Sequence, residues 1–220
     1  MSIKQWIIDA IFPPKCVFCG ALAEGCFCDK CRRDLPFTGE HAIVTGEAGM
    51  EVATPLFYVD KVRSSILRYK FSDKFFFADV YGALMADCAA EHFSGRFDLV
   101  SYIPVSRRRK KERGYDQAAL LAEAMVKRWD TAPVITLQKL VDTPRQSSLT
   151  DAYQRRANVL GVYEAVDPER FHTRRILLVD DIYTTGSTMN EAARTLRLAG
   201  AAEVLGITLA RAQAEKNTKY

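Results

Sequence analysis

The chain has 220 residues, 48% hydrophobic and 26% charged, the profile of an ordinary soluble protein long enough to bury a core, with one main domain and a small appendage expected. Its formal net charge of +4 is mild and by itself implies no general affinity for nucleic acid. No internal repeat or low-complexity tract interrupts the sequence.

The amino-terminal MSIKQWIIDAIFPP is amphipathic but broken by Asp9 and the Pro13-Pro14 pair. It is too short and interrupted for an export signal or a membrane span, so a cytoplasmic protein is expected. Cys16-x2-Cys19 and Cys28-x2-Cys31 then form two knuckles eight residues apart, compact enough to bring four thiolates to one tetrahedral zinc. Cys26 lies two residues from Cys28 and could replace it. A disulfide cluster is the alternative, disfavoured where thiols are kept reduced, and the absence of a βαβ pattern around the knuckles argues against a redox CxxC. Four protein ligands leave no open coordination position, so the zinc is expected to be structural. The module is assigned to residues 1–37. Residues 38–50, with Gly39, Gly46 and Gly49, read as a connecting hairpin or loop. Cys88, in the apolar series Tyr81, Leu84, Met85, reads as core.

Residues 51–220 alternate strand-like and helix-like segments. Val52 to Tyr58 reads as a strand, Val62 to Tyr69 as a helix, Phe75 to His92 as a longer helix and Phe97 to Val105 as a strand. Asp116 to Trp129 follows as a helix, Val134 to Leu140 as a short strand, and Glu203 to Ala210 as the last strand. The pattern predicts an α/β fold, a mostly parallel sheet with helices on both faces. Gln213 to Tyr220 is a polar tail expected to fray.

Two polar segments interrupt this alternation. After Ile103-Pro104-Val105 comes a basic run in which Arg107, Arg108, Arg109, Lys110, Lys111 and Arg113 surround one acid, Glu112. At the end of a strand these cations could neutralise a pyrophosphate or track a nucleic-acid backbone, and a solvated basic loop is the alternative. The segment from Leu140 to Tyr163 is long and polar; Arg145, Gln146, Arg155, Arg156 and Asn158 could close over an anion, or could lie on an exposed helix.

The segment ILLVDDIYTTGST, Ile176 to Thr188, carries the most chemistry. Ile176 to Val179 form the continuous apolar run of a strand covered on both faces, and Asp180 and Asp181 stand where that strand is expected to leave the sheet. Thr184, Thr185, Gly186, Ser187 and Thr188 then open a helix that stops at Ala199-Gly200, an arrangement that offers hydroxyls, backbone N–H groups and the positive helix end to a phosphate. Two carboxylates beside a phosphate site suit the hydroxyls of a ribose better than a nucleoside triphosphate. Helix capping alone needs one such residue, not seven in order.

A hydrophobic strand, two acids and TTGxT resemble the binding signature of the phosphoribosyltransferases. The resemblance implies that Asp180 and Asp181 hold the ribose hydroxyls of phosphoribosyl pyrophosphate and that Thr184 to Thr188 cradle its 5′-phosphate. Taken with FPPKCVFCG, YIPVSRRRKKERGYDQAALLA and TPRQSSLTDAYQRRANVLGVYEA, the chain resembles, over nearly its whole length, the ComF family of competence-associated, phosphoribosyltransferase-like proteins. That resemblance implies a type I phosphoribosyltransferase-like core with an amino-terminal zinc-ribbon-like module, and a link to the uptake of single-stranded DNA with a DNA-dependent ATPase or helicase as partner. Where the family typically shows RGFN-Q, this chain has Arg113-Gly114-Tyr115-Asp116-Gln117, and the charge at Asp116 puts an anion contact there in doubt. Three functions compete: an enzyme using Mg²⁺ with phosphoribosyl pyrophosphate, a binding module for that ligand and single-stranded DNA, and an inactive adaptor. The intact acidic pair and phosphate loop argue against the last, and no motif selects an acceptor or supplies a general base.

Overall fold

The computed structural model describes residues 14–71, 75–140 and 161–213. The strands are β1 (Ile43–Thr45), β2 (Glu51–Ala53), β3 (Leu56–Phe57), β4 (Leu99–Tyr102), β5 (Leu137–Lys139), β6 (Tyr163–Ala165), β7 (Arg175–Tyr183) and β8 (Glu203–Arg211). The α-helices are α1 (Asp29–Asp34), α2 (Asp60–Phe71), α3 (Phe77–Phe93), α4 (Arg107–Arg113), α5 (Gln117–Val126) and α6 (Ser187–Leu198). The main sheet runs β1-β2-β8-β7-β4, with β3 also on β8; only the β1–β2 pair is antiparallel.

The apolar run of β7 explains the layering. Successive side chains of a strand point to opposite faces, and here Leu177 and Val179 join one buried cluster while Ile176 and Leu178 join another. The first cluster takes in α2, α3 and α5; the second takes in α6 through Met189, Ala192, Ala193 and Leu196. The sheet is thus mostly parallel with helices on both faces, as the alternation predicts. Helices α3 and α5 meet closely at Gly82, where a Cβ would stand 2.5 Å from Ala124 Cβ.

Four expectations need correction. β7 does not leave the sheet at Asp180: it stays bonded to β8 as far as Tyr183↔Arg211, and it is β4 that stops, at Tyr102↔Val179, which leaves the two aspartates past the end of β4 on that flank. Val52 to Tyr58 is two short strands, because Pro55 has no N–H to give to a ladder. The segment Val134 to Leu140 contributes β5 to a separate antiparallel pair with β6, outside the main sheet. Residues 38–50 do supply a hairpin, with β1 pairing antiparallel to β2, but they also join the core, since Thr38, Ala42 and Met50 are buried.

The cysteine module packs into the main body. Cys16, Val17, Phe18, Cys31 and Leu35 share one buried cluster with α2 and α3, so the expected appendage draws on the main core. Arg145, Gln146, Arg155, Arg156 and Asn158, the first thirteen residues and the tail from residue 214 lie outside the described residues.

Candidate functional site

The turn from β7 into α6 builds the centre of the site. Asp180 and Asp181 are half-buried, and Asp180 Oδ1 accepts the N–H of Asp181 at 2.8 Å. Burial, reinforced by the neighbouring Asp181 charge, holds the Asp180 carboxyl well above the ordinary carboxylate range, while Lys70 acts in the opposite direction. Lys70, in the last turn of α2, places Nζ 2.7 Å from Asp181 Oδ2. The N-cap of α6 is Gly186 in the left-handed region (φ 77°), which has no capping side chain. Thr185 Oγ1 instead accepts the first N–H of α6, from Ser187, at 3.4 Å and lies 2.8 Å from Ser187 Oγ. A Cβ on Gly186 would stand 2.7 Å from Tyr183 Cζ, so both conformation and space require glycine there.

These residues open onto a cleft of about 310 Å³ that brings together Asp180, Asp181 and the whole run from Thr184 to Thr188. Of the basic run, only Arg109 and Arg113 line it. The reason is local: the run is not a loop but the helix α4, capped by the Ser106 side chain and closed by Gly114 at φ 79°. Residues four apart share a helix face, so Arg109 and Arg113 face the cleft together. Arg107, Arg108, Lys110 and Lys111 are exposed, with Arg108 paired to Glu112 at 3.0 Å.

Arg113 donates to Gln117 Oε1 at 2.6 Å and lies 5.1 Å from the centre of the Phe71 ring. Asp116 takes a scaffolding part. It is buried, accepts from the backbone of Val105 at 2.9 Å and Ala118 at 3.1 Å, and so caps α5 while pinning the loop that follows β4. Burial pushes its carboxyl up and those N–H donors pull it down, with burial prevailing.

Sequence reasoning missed Lys70, Lys139, Tyr58 and Tyr163, all of which line the cleft. Lysine in the last turn of an amphipathic helix is ordinary, so no spacing signal marked Lys70. Lys139 lies on β5, whose pairing with β6 brings its ammonium 5.4 Å from the centre of the Tyr163 ring.

Away from the cleft, the sulfurs of Cys16, Cys19, Cys28 and Cys31 all lie within 4.8 Å of one another, with Cys19 and Cys28 at 3.7 Å. A tetrahedral zinc with bonds of about 2.3 Å separates its thiolates by about 3.8 Å, so this all-sulfur set fits that ion. Cys26 does not belong to the cluster, and Cys28 also caps α1, accepting the N–H of Cys31 at 3.4 Å. Cys88 is buried in α3, where desolvation pushes its thiol up to about 12.

The sheet order, the acidic pair on β7 just past the end of β4 and the hydroxyl loop opening α6 define a phosphoribosyltransferase-type protein, here joined to a zinc ribbon. Family models agree: a phosphoribosyl transferase domain matches residues 118–220 and a double zinc ribbon domain residues 7–46. Competence protein F of Haemophilus influenzae is 28% identical over 224 residues, spanning 90% of this chain and 97% of that protein. Competence protein ComFC of Bacillus subtilis is 30% identical over 158 residues, 70% of this chain and 61% of that protein. DNA utilization protein YhgH of Escherichia coli is 32% identical over 111 residues, 49% of this chain and 46% of that protein. The chain belongs to the ComF family. Among solved structures, an allosteric regulatory enzyme of purine biosynthesis aligns at a TM-score of 0.41 with 21% identity, over 64% of this chain and 29% of that one, a likeness too low to argue from. No helix among the described residues is long and apolar enough to cross a membrane.

Proposed function

We propose that the cleft binds phosphoribosyl pyrophosphate and that the protein acts in the uptake or processing of single-stranded DNA for transformation. One observation carries the ligand: Asp180, Asp181, the Thr184 to Thr188 loop, Lys70, Arg109 and Arg113 border a single cleft. The two carboxylates accept hydrogen bonds from the ribose hydroxyls, and the opening turn of α6 receives the 5′-phosphate on backbone N–H groups and hydroxyls. Arg109, Arg113, Lys70 and Lys139 supply the positive charge that a pyrophosphate requires. Mg²⁺, when bound with the ligand, neutralises pyrophosphate charge. Cys16, Cys19, Cys28 and Cys31 hold one structural zinc.

The role in DNA uptake is supported by the competence and DNA-utilization relatives. The exposed face of α4, with Arg107, Arg108, Lys110 and Lys111, is then available to phosphates of single-stranded DNA or to a DNA-dependent motor, in a cytoplasmic setting. A second reading, turnover to an unidentified acceptor, is favoured by Asp180 and Asp181, which are placed to stabilise positive charge developing on the ribose as pyrophosphate leaves. Calorimetric titration with phosphoribosyl pyrophosphate and Mg²⁺ tests the ligand. Pyrophosphate release with candidate bases and single-stranded DNA separates the two readings: release with an acceptor makes the protein an enzyme, and tight binding without release makes it a binding module.

A further inference from the structure

The first cysteine knuckle and the cleft are two ends of one short mechanical path. Val17 and Phe18, the residues between Cys16 and Cys19, are 0% and 1% exposed and aim their carbonyls at α2. Arg68 Nη2 donates to Val17 O at 2.7 Å and to Phe18 O at 3.0 Å. Ser65, one turn earlier, also donates to Val17 O and shares a 2.5 Å hydrogen bond with the Tyr81 hydroxyl. Two residues beyond Arg68, on the same last turn, Lys70 meets Asp181. Tyr69 between them is fully buried and donates to Gln117 O at 2.9 Å, beside the Gln117 side chain that holds Arg113.

We propose that Arg68 is a positioning residue that reports the metal state of the first knuckle to the cleft, so that zinc loading sets where Lys70 stands relative to Asp181. The inference rests on the reading that the cleft binds a ribose phosphate. The turn that carries these carbonyls also carries Cys16 and Cys19, two of the four sulfurs that lie within 4.8 Å of one another and fit one zinc. With the metal gone, that turn loses its closure and Arg68, half-buried, loses two acceptors at once. A guanidinium in that position must find new partners, since a buried unmet donor is costly. The last turn of α2 loosens with it, and Lys70 is displaced from the acidic pair.

The test uses the full chain, zinc-loaded, as wild type and as Arg68→Met, Arg68→Lys and Arg32→Met. Arg32 is the control: it donates to Phe27 O at 3.3 Å beside the second knuckle, so it is linked to the module without bonding the two carbonyls that meet Arg68. Amide exchange of residues 68–71 should quicken about tenfold in Arg68→Met, less in Arg68→Lys, and not at all in Arg32→Met, with zinc stoichiometry unchanged in all. Affinity for phosphoribosyl pyrophosphate with Mg²⁺ should follow the same order, falling about tenfold in Arg68→Met. Stripping zinc from the wild type with a zinc-selective chelator should quicken exchange in that turn at least as much as Arg68→Met does. Unchanged exchange and affinity in zinc-loaded Arg68→Met would overturn the proposal, as would quickened exchange spread evenly over every helix. If the wild type binds no phosphoribosyl pyrophosphate but the exchange pattern holds, the ligand reading fails and the coupling stands.

Discussion

Lys70 Nζ lies 2.7 Å from Asp181 Oδ2, with side chains only 19% and 15% exposed, so a cation from α2 compensates one of two adjacent carboxylates on β7, just past the end of β4. Breaking a shielded pair by removing one partner leaves the other charge unmatched. Lys70→Met should therefore cost about 1–3 kcal/mol of stability, and adding Asp181→Asn should restore a large part of it. Denaturant melts of the two single variants and the double variant measure the coupling; strictly additive costs would mean the pair contributes nothing.

The uncompensated member of the acidic pair is Asp180, whose folded-state pKa is raised by burial first and by Asp181 second. A carboxyl raised on folding keeps its proton in the native state after the unfolded chain has lost it. Stability from this group is thus full below the ordinary carboxylate range and is lost as pH rises toward the raised folded value. Asp180→Asn removes that penalty. Its stability gain over the wild type should grow between pH 5 and pH 8, to at least about 1 kcal/mol, while ligand affinity falls. An equal gain at both pH values would contradict the assignment.

Gly186 combines a left-handed backbone with a ring packed where its Cβ would be. Gly186→Ala should cost about 1–3 kcal/mol and disturb the phosphate cradle. In a Tyr183→Ala background the steric part disappears, and the remaining cost should drop to about 1 kcal/mol, the penalty of the left-handed conformation. The four melting curves of this cycle decide it; the same cost in both backgrounds would locate the strain elsewhere.

Metal analysis discriminates among the cysteines. One zinc per chain is expected, with Cys16→Ser or Cys28→Ser releasing it and Cys26→Ser retaining it, because Cys26 lies outside the sulfur cluster. Structural zinc supplies on the order of 10 kcal/mol of folding free energy, so the first two variants should lose the module's fold. Zinc lost from Cys26→Ser alone would reverse the ligand assignment.

The acidic pair, the phosphate loop and the cysteine knuckles were legible because each is continuous in sequence, where one local geometry forces the residue types. The sheet was legible for the same reason: Ile176 to Val179 can only be a strand covered on both faces. The remainder of the site was not. Lys70 and Lys139 reach the cleft from elements far apart in the chain, and only the docking of α2 and the β5–β6 pair brings them there. The basic run read as a block of six equivalent cations, yet helical geometry turns Arg109 and Arg113 inward and leaves Arg107, Arg108, Lys110 and Lys111 outside. For β1 the sequence left hairpin and loop both open, because three residues between glycine-containing turns carry no alternation to read.

The central claim is that Asp180 and Asp181 hold a ribose beside a phosphate cradle. Calorimetric titration of phosphoribosyl pyrophosphate with Mg²⁺ into wild type, Asp180→Ala and Asp181→Ala tests it most directly. Saturable binding of one ligand per chain is expected for the wild type, weakened at least about tenfold in each variant, since a hydrogen bond involving a charged group is worth about 1.5–3 kcal/mol. Binding by both variants as tight as by the wild type, with their folds intact, would contradict it.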